Sequence, residues 1–167
     1  MTKLKLPTKY LPSLKDIKDS AKQVKMLLKS RKQYKKGKFF TRKKIKSYKS
    51  KTSNHITDAR KIYGIQNITP NNELARKTGC SLSALKQIVR KGQGAYFSSG
   101  SRPNQTSQSW GLARLASSIT AGKSAAVDYD ILEKGCDHNK KAFLLAKKSR
   151  KKYKFGHSKT RKTAVNV

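Results

Sequence analysis

Apolar residues near the start of the chain recur at spacings of three and four, which is the period of one face of an α-helix. A capping-box-like start precedes most of them, since Ser13 is followed by Asp16 three residues later, and Gly37 supplies a stop signal. The pattern predicts one amphipathic helix over residues 14–36, with lysines on its reverse side. Its apolar stripe consists of Leu14, Ile17, Ala21, Val24, Leu27 and Leu28. The stripe packs either on the protein's own core or on a partner, and the sequence leaves both open.

The middle of the chain predicts two short helices joined by a tight corner. Thr69-Pro70 is typical of a helix start, because proline fits the first helical position. Gly79 is expected to end this helix, Ser81 to cap the next, and Gly92 to end that one. A short helix over 56–63, closed by Gly64, precedes this pair.

The same corner resembles a helix-turn-helix in its spacing. The small residue, turn glycine and two core contacts of that motif fall on Ala75, Gly79, Leu85 and Ile88. Any tight corner of two helices needs similar residues, so we expect a structural helical corner, with sequence-specific DNA reading as the alternative. In a DNA-reading motif, the exposed start of the second helix would carry Ser81, Ser83, Ala84 and Lys86.

The remaining pattern predicts loops and further helices. The stretch from Gly92 to Trp110 is rich in glycine, serine and proline, which favours a structured loop. Helices are expected over 107–120, 129–134 with Asp128 as cap, and 139–152, followed by an aperiodic basic tail. Trp110 is expected to anchor a small core with Tyr96 or Phe97. An architectural role is expected for Gly92, Gly94, Ser98, Gly100, Arg102, Pro103 and Trp110.

These elements define an all-α fold class: a small multi-helix domain that contains a helix-turn-helix-like corner and carries long basic extended arms. The predicted organisation is a basic N-terminal arm over 1–65, a compact helical domain over 66–139, and a basic C-terminal helix and tail over 140–167. Apolar residues make up 35% of the chain, so we expect a small core.

Charge changes the picture more than any single motif. The chain has 41 Lys and Arg against 8 Asp and Glu, a net charge of +33. The predicted N-terminal arm has 21 basic and 3 acidic residues, the middle 9 and 5, and the C-terminal segment 11 and 0. Such a surplus requires an anionic partner: nucleic acid, an anionic membrane face or an acidic protein. Charge alone does not choose among them.

The run from Lys35 to Lys51 interleaves Phe39, Phe40, Ile45 and Tyr48 with lysines, which suits a polyanion. A solvated, mobile linker is the alternative interpretation. The candidate polyanion-binding residues are Lys35, Lys36, Lys38, Arg42, Lys43, Lys44 and Lys46 in the first arm and Lys147, Lys148, Arg150, Lys151, Lys152 and Lys154 in the second.

Catalytic and metal motifs are weak. The run Thr120 to Ser124 has the end of a P-loop without its first glycine, so we expect a helix C-terminus there. Cys80, Cys136, His138 and His55 lack zinc-site spacing. Internal salt bridges account for Asp128, Asp130 and Glu133 more simply than acid–base catalysis. We therefore expect no enzyme, no cofactor, no metal site and no small-molecule substrate.

Cysteine content and hydropathy indicate the compartment. With two cysteines, Cys80 and Cys136, we expect buried free thiols in a reducing compartment, and one disulfide between them is left open. No apolar run is long enough to cross a bilayer, and residues 1–10 lack the apolar stretch of a secretory signal. The expected location is inside the cell, without secretion or a transmembrane segment.

The segment RKTGCSLSALKQIVRKGQGAYFSSGSRPNQTSQSWGLARLASSITAGKSAAVDYDILEKGC resembles an uncharacterised basic, virion-associated domain family of large double-stranded DNA viruses. Its relatives are notably the algal viruses such as chloroviruses, with fainter ones in tailed phages. The most specific part is SSGSRPNQTSQSWGLARLAS, and the resemblance extends over roughly residues 10–136. It implies a viral origin and a location in the virion, with synthesis in the host cytoplasm or nucleus. It implies no activity.

Together these observations lead us to expect a structural minor capsid protein of a large icosahedral DNA virus, on the inner side of the shell. Its basic arms would bridge major and other minor capsid proteins, with the anionic internal membrane or viral DNA as further partners left open. The alternative is a basic viral DNA-binding or packaging protein that uses the helix-turn-helix-like corner. A factor associated with ribosomes or host RNA is a third, weaker possibility.

Overall fold

The computed structural model describes residues 2–13 and 15–167, and Leu14 of the predicted apolar stripe lies outside them. The described residues are mostly helical, with eight α-helices and two short strands. In chain order the elements are β1 (Lys3–Pro7), α1 (Ile17–Lys35), α2 (Asn54–Tyr63), α3 (Asn72–Thr78), α4 (Leu82–Ser98), α5 (Ser107–Ser118), α6 (Lys123–Val127), α7 (Tyr129–Gly135), α8 (Lys141–Lys152) and β2 (Lys162–Asn166). Single 3₁₀ turns follow β1 (Thr8–Tyr10) and α8 (Lys154–Gly156).

The two ends of the chain pair with each other, so the all-α prediction is confirmed only as a mostly helical fold that also contains a small sheet. β1 and β2 form an antiparallel two-stranded sheet in which Lys3 pairs with Asn166 and Pro7 with Lys162. The hydroxyl groups of Thr8 and Thr163 hydrogen-bond across it at 2.8 Å. Leu6 is fully buried. The basic tail therefore acquires its structure from residues more than 150 positions away in sequence.

The chain forms two compact units, each assembled from separate stretches. Unit 1 comprises 1–51, 94–110 and 159–167, and unit 2 comprises 52–93 and 111–158. The sequence predicted three successive segments instead, because local patterns do not reveal which distant stretches pack together. Two of the four boundaries between the units fall within α4 and α5.

Unit 1 has a small core in which α1 packs through a face that overlaps the predicted stripe only in part. The core contains Leu6, Tyr10, Leu11, Val24 and Leu27, with Trp110 packed against it. Ile17 is 80% exposed, and Ala21 is also exposed.

The buried face of α1 differs from the predicted apolar stripe because it includes hydrogen-bonded polar side chains. Gln23, Met26 and Ser30 are buried together with Val24 and Leu27. The Gln23 amide donates to the Tyr10 carbonyl, and the Ser30 hydroxyl donates to the Phe97 carbonyl. Satisfied in this way, polar side chains can occupy a core. Val24, Leu27 and Leu28 of the predicted stripe do pack on the protein's own core, whereas Ile17 and Ala21 are exposed.

The core of unit 2 is larger, and its helices α3 and α4 are joined by a turn at the predicted positions Gly79 and Ser81. Gly79, with φ of +76°, ends α3, and the Ser81 hydroxyl accepts from the Ala84 N–H at the start of α4. This core contains the large side chains of Leu74, Leu85, Ile88, Leu115, Ile119, Leu132 and Phe143.

Cys80 and Cys136 form a disulfide, contrary to the expectation of free thiols. The backbones around them run antiparallel, since the Ser81 N–H donates to the Gly135 carbonyl and the Asp137 N–H to the Gly79 carbonyl, both at 2.7 Å. This pairing brings the two sulfur atoms within bonding distance. Both cysteines are buried, as expected.

Helix α4 continues to Ser98, so the predicted stop at Gly92 is wrong. Gly92 lies inside the helix and faces Gly111 of α5, where an added Cβ would be 2.6 Å from the Gly111 Cα atom. Two glycines let these backbones approach closely, which outweighs the low helix propensity of glycine. The predicted loop therefore begins only after Ser98.

Trp110 contacts a different partner than predicted. Its ring lies edge-on to that of Tyr10, with centroids 6.3 Å apart. Gly100 has φ of +138°, and an added Cβ would be 2.8 Å from Leu27.

Across residues 2–13 and 15–167, no helix combines the length and apolarity needed to span a membrane.

Candidate polyanion-binding surface

The site begins at the C-terminal end of α1, where the chain reverses direction. Gly37 has φ of +72°; its N–H donates to the Tyr34 carbonyl, and the Lys38 N–H donates to the Gln33 carbonyl, both at 2.9 Å. These two bonds form a Schellman motif, the common helix end that uses glycine in the left-handed region. The turn brings Phe39 back to Tyr34, with ring centroids 6.2 Å apart.

The segment after the turn is held in place by Arg42, which the sequence assigned to polyanion contact. Arg42 is buried, and its guanidinium donates to the Ser30 hydroxyl, the Tyr96 carbonyl and the Ser101 hydroxyl at 2.8–2.9 Å. It also lies 3.8 Å from the centre of the Tyr96 ring. Burial lowers the pKa of Arg42. Since its donors face inward, the structure places Arg42 away from any external ligand.

Asn104 fixes the next part of this segment. Its amide donates to the carbonyls of Ile45 and Tyr48, and its side-chain oxygen accepts from the Ile45 N–H at 2.6 Å. Ile45 is 1% exposed. The run from Lys38 to Tyr48 has no regular secondary structure, yet it is anchored to unit 1 and does not form the mobile linker considered as the alternative.

The other first-arm residues of the predicted set are all exposed: Lys35, Lys36, Lys38, Lys43, Lys44 and Lys46. Unit 1 carries 23 of the 41 basic residues and two acidic ones, Asp16 and Asp19. Asp16 caps α1, accepting from the Asp19 N–H at 2.9 Å. Hydrogen bonds from the hydroxyl and backbone N–H of Ser47 lower the pKa of Asp19. With so few carboxylates, most cations of this unit have no acidic residue to pair with.

The second predicted set lies in unit 2, on and just after α8. The buried face of α8 consists of Ala142, Phe143, Ala146 and Ser149. The opposite face leaves the predicted residues exposed: Lys147, Lys148, Arg150, Lys151, Lys152 and Lys154. The Arg150 guanidinium lies 4.3 Å from the Tyr129 ring centre and 4.9 Å from that of Phe155.

Two aromatic residues of the surface were missed by the sequence interpretation. Phe97 contacts Phe39, with centroids 5.1 Å apart, and is nearly parallel to Tyr34 at 6.4 Å. The sequence pattern predicts Tyr34 within a helix and Phe97 within the core of a loop. The signal that could have found Tyr34 is its position one turn before the helix-ending glycine, beside Phe39 after the reversal.

A shallow cleft of about 430 Å³ adds cations from both ends of unit 1. Its lining is Thr8, Lys9, Leu11, Tyr48, Arg102, Thr160 and Arg161. Three of these side chains are cationic, three carry hydroxyls and none is acidic, which suits a phosphate group. Arg102, expected to be architectural, is exposed here. No local sequence pattern predicts this cleft, because its lining comes from four stretches that are far apart in the chain.

The start of α4 is poorly placed to read a DNA groove. Ala84 is buried, and α7 approaches so closely that a Cβ on Gly135 would be 2.4 Å from the Ala84 Cβ. Ser81 and Ser83 share a shallow pocket with Asp130 of α7. Since a neighbouring helix and a carboxylate flank this turn, the helical corner is better suited to packing than to groove insertion.

One acidic residue of unit 2, Asp128, has a structural role. The buried carboxylate of Asp128 accepts two hydrogen bonds from Arg114, at 2.7 and 2.8 Å, and lies 3.1 Å from the Lys91 ammonium. No side-chain capping bond from Asp128 to α7 is present. Its salt bridges agree with the internal role predicted from the sequence. Among the residues that the structure describes, no three His, Cys, Asp or Glu side chains form a group able to hold a metal ion.

The fold and the surface define a small, mostly helical, strongly basic protein whose cations are concentrated on exposed side chains. Residues 7–142 match the family described as "Family of unknown function (DUF5824)". Because this match covers most of the chain, the protein belongs to that family. No curated protein and no solved structure matches the chain.

Proposed function

We propose that the protein binds nucleic acid through the phosphate backbone, without reading base sequence in a groove. The observation that carries the proposal is the charge of unit 1, where 23 basic residues accompany two acidic ones. Both carboxylates accept hydrogen bonds within the unit, from Asp19 N–H and from Ser47. The exposed lysines are therefore available to neutralise an external polyanion.

The anchored segment after Gly37 supports the same proposal. Arg42 and Asn104 hold its backbone, so Lys43, Lys44 and Lys46 project from a fixed surface. A fixed surface loses less conformational entropy on binding than a mobile tail. In a viral particle such a protein would neutralise packaged DNA, and the resemblance to viral domains supports that setting.

The test is the salt dependence of duplex binding, measured by fluorescence anisotropy between about 50 and 200 mM salt. We expect log K to fall linearly with log salt, with a slope of about 0.9 per phosphate neutralised. The double variant Lys43→Ala/Lys44→Ala is expected to lower the slope by up to about 2. An affinity that does not change with salt, or no binding at low salt, contradicts the proposal.

A second candidate is the minor capsid protein on the inner side of the shell, and exposed apolar side chains favour it. In unit 2, Val127 is 48%, Leu144 46% and Phe155 60% exposed, which suits contacts with protein neighbours. Bridging by extended arms is not part of this version, since both termini are paired in the sheet.

Extraction of viral particles distinguishes the nucleic-acid-binding proposal from the minor capsid proposal. A capsid component stays with emptied, nuclease-treated shells, whereas a packaging protein leaves with the genome. Retention on empty shells together with weak binding of nucleic acid, both duplex and single-stranded, would replace the first proposal by the second.

A further inference from the structure

Three aromatic rings form a partly exposed cluster in unit 1, which we call the ring cluster: Tyr34, Phe39 and Phe97. Phe39 is 70% exposed and Tyr34 38%. The centroid of Phe39 lies 5.1 Å from that of Phe97 and 6.2 Å from that of Tyr34. Tyr34 and Phe97 are within 7° of parallel. The cluster therefore leaves part of its aromatic surface exposed to solvent.

The ring cluster packs against buried groups of unit 1. Phe97 lies edge-on to the fully buried Tyr96 at 5.0 Å, and the Ser30 hydroxyl donates to the Phe97 carbonyl. The Tyr96 hydroxyl in turn accepts from the Arg42 N–H at 3.0 Å. The Schellman turn at Gly37 fixes the approach of Phe39. Phe39 is therefore exposed on a part of unit 1 whose backbone is held by these contacts.

The surroundings of the ring cluster identify its ligand. Lys35, Lys36 and Lys38 are exposed and lie within two positions of Tyr34 or Phe39 in the chain. The sequence contains no acidic residue between positions 20 and 57. The ligand that suits these lysines carries regular negative charge, and the ligand that suits the exposed rings carries flat aromatic surfaces. Unpaired nucleotides have both, whereas the bases of a duplex are already stacked inside the helix.

Other hydrophobic residues of the same segment do not share this exposure. The Lys29 ammonium lies 4.4 Å from the centre of the Phe40 ring, and Ile45 is buried. The structure thus singles out Phe39 among the interleaved residues of the basic run.

We propose that the ring cluster stacks unpaired bases, so that the protein binds single-stranded nucleic acid in preference to duplex. This inference rests on the proposed function and specifies its ligand. Lysines would neutralise the backbone while Phe39 and its neighbours contact bases, with little dependence on which base is present.

The experiment compares the full chain with Phe39→Ala, Phe39→Trp and Lys38→Ala, using single-stranded and duplex oligonucleotides of equal length at equal salt. We expect Phe39→Ala to weaken single-strand binding about tenfold, with little change on duplex or in the salt slope. Phe39→Trp is expected to retain affinity and to show fluorescence quenching on binding. Lys38→Ala is expected to weaken both ligands and to reduce the salt slope. Far-UV circular dichroism checks that the variants fold.

The outcomes distinguish nucleic-acid binding by the protein from base stacking by the ring cluster. Wild-type protein that binds neither ligand overturns the proposed function itself. Equal binding of both ligands, with no effect of Phe39→Ala, overturns the ring cluster while leaving backbone binding intact. Vesicles with one-third anionic lipid are the remaining arm: Phe39-dependent vesicle binding without Phe39-dependent single-strand binding assigns the cluster to a membrane surface and contradicts the proposal.

Discussion

Arg42 and Lys43 are neighbours in sequence with opposite surroundings. Arg42 donates three hydrogen bonds to buried acceptors, whereas Lys43 is exposed. Composition placed both in one candidate set, because side-chain direction in an irregular segment depends on contacts with Ser30, Tyr96 and Ser101. These contacts span up to 59 positions, and no local pattern predicts them.

Substitution separates the two roles. Arg42→Met is expected to lower the free energy of unfolding by about 2–3 kcal/mol, because buried acceptors lose their donor. Lys43→Ala is expected to leave stability nearly unchanged and to reduce the salt slope of nucleic-acid binding. Urea denaturation and anisotropy titration measure the two effects. If Arg42→Met were as stable as the wild type, the structural role assigned to Arg42 would be wrong.

Tyr63 gives a pH-dependent prediction at the same scale. Its hydroxyl donates to the Ile119 carbonyl in the core of unit 2, and burial raises the pKa of Tyr63 above its ordinary value. The folded state therefore holds this proton more tightly than the unfolded state does. The stabilisation is complete below about pH 10, the ordinary tyrosine pKa, and is lost as the pH rises further.

The control for Tyr63 is Tyr63→Phe, which removes the ionisable group while keeping the ring. We expect this variant to lose about 1 kcal/mol at pH 8 and to show a smaller fall in stability between about pH 9 and 11. Lysine titration is common to both proteins, so the difference isolates Tyr63. Parallel stability curves over this range would contradict the assignment.

At the scale of elements, local signals predicted the corner of α3 and α4 and the end of α1. Gly37, Gly79 and Ser81 act as the sequence indicates, because helix termini depend on nearby backbone groups. The extension of α4 through Gly92 was missed, since it depends on close approach to Gly111. The β1–β2 sheet was missed because its strands lie at opposite ends of the chain.

The disulfide connects two such elements and can be tested directly. Cys80 and Cys136 are 56 positions apart, so their link restricts the unfolded chain considerably. Reduction is expected to lower the free energy of unfolding by about 2–4 kcal/mol. The double variant Cys80→Ala/Cys136→Ala serves as control, because reductant should not change its stability. Two free thiols titrated in unreduced, denatured protein would contradict the bond.

Considered as a whole molecule, the protein combines a modest core with a net charge of +33. Like charges repel, so the folded state of the free protein is expected to gain stability as salt screens them. A bound polyanion relieves the same repulsion and is itself released by salt. Salt is therefore expected to act in opposite directions on the free protein and on its complex.

The most direct measurement of this account is thermal unfolding with and without a single-stranded oligonucleotide over a salt series. We predict that the oligonucleotide raises the melting temperature strongly at low salt. The free protein should melt at higher temperature as salt increases, until the two curves meet. An oligonucleotide without effect at low salt, or a free protein destabilised by salt, would contradict the claim that this charge surplus serves to bind nucleic acid.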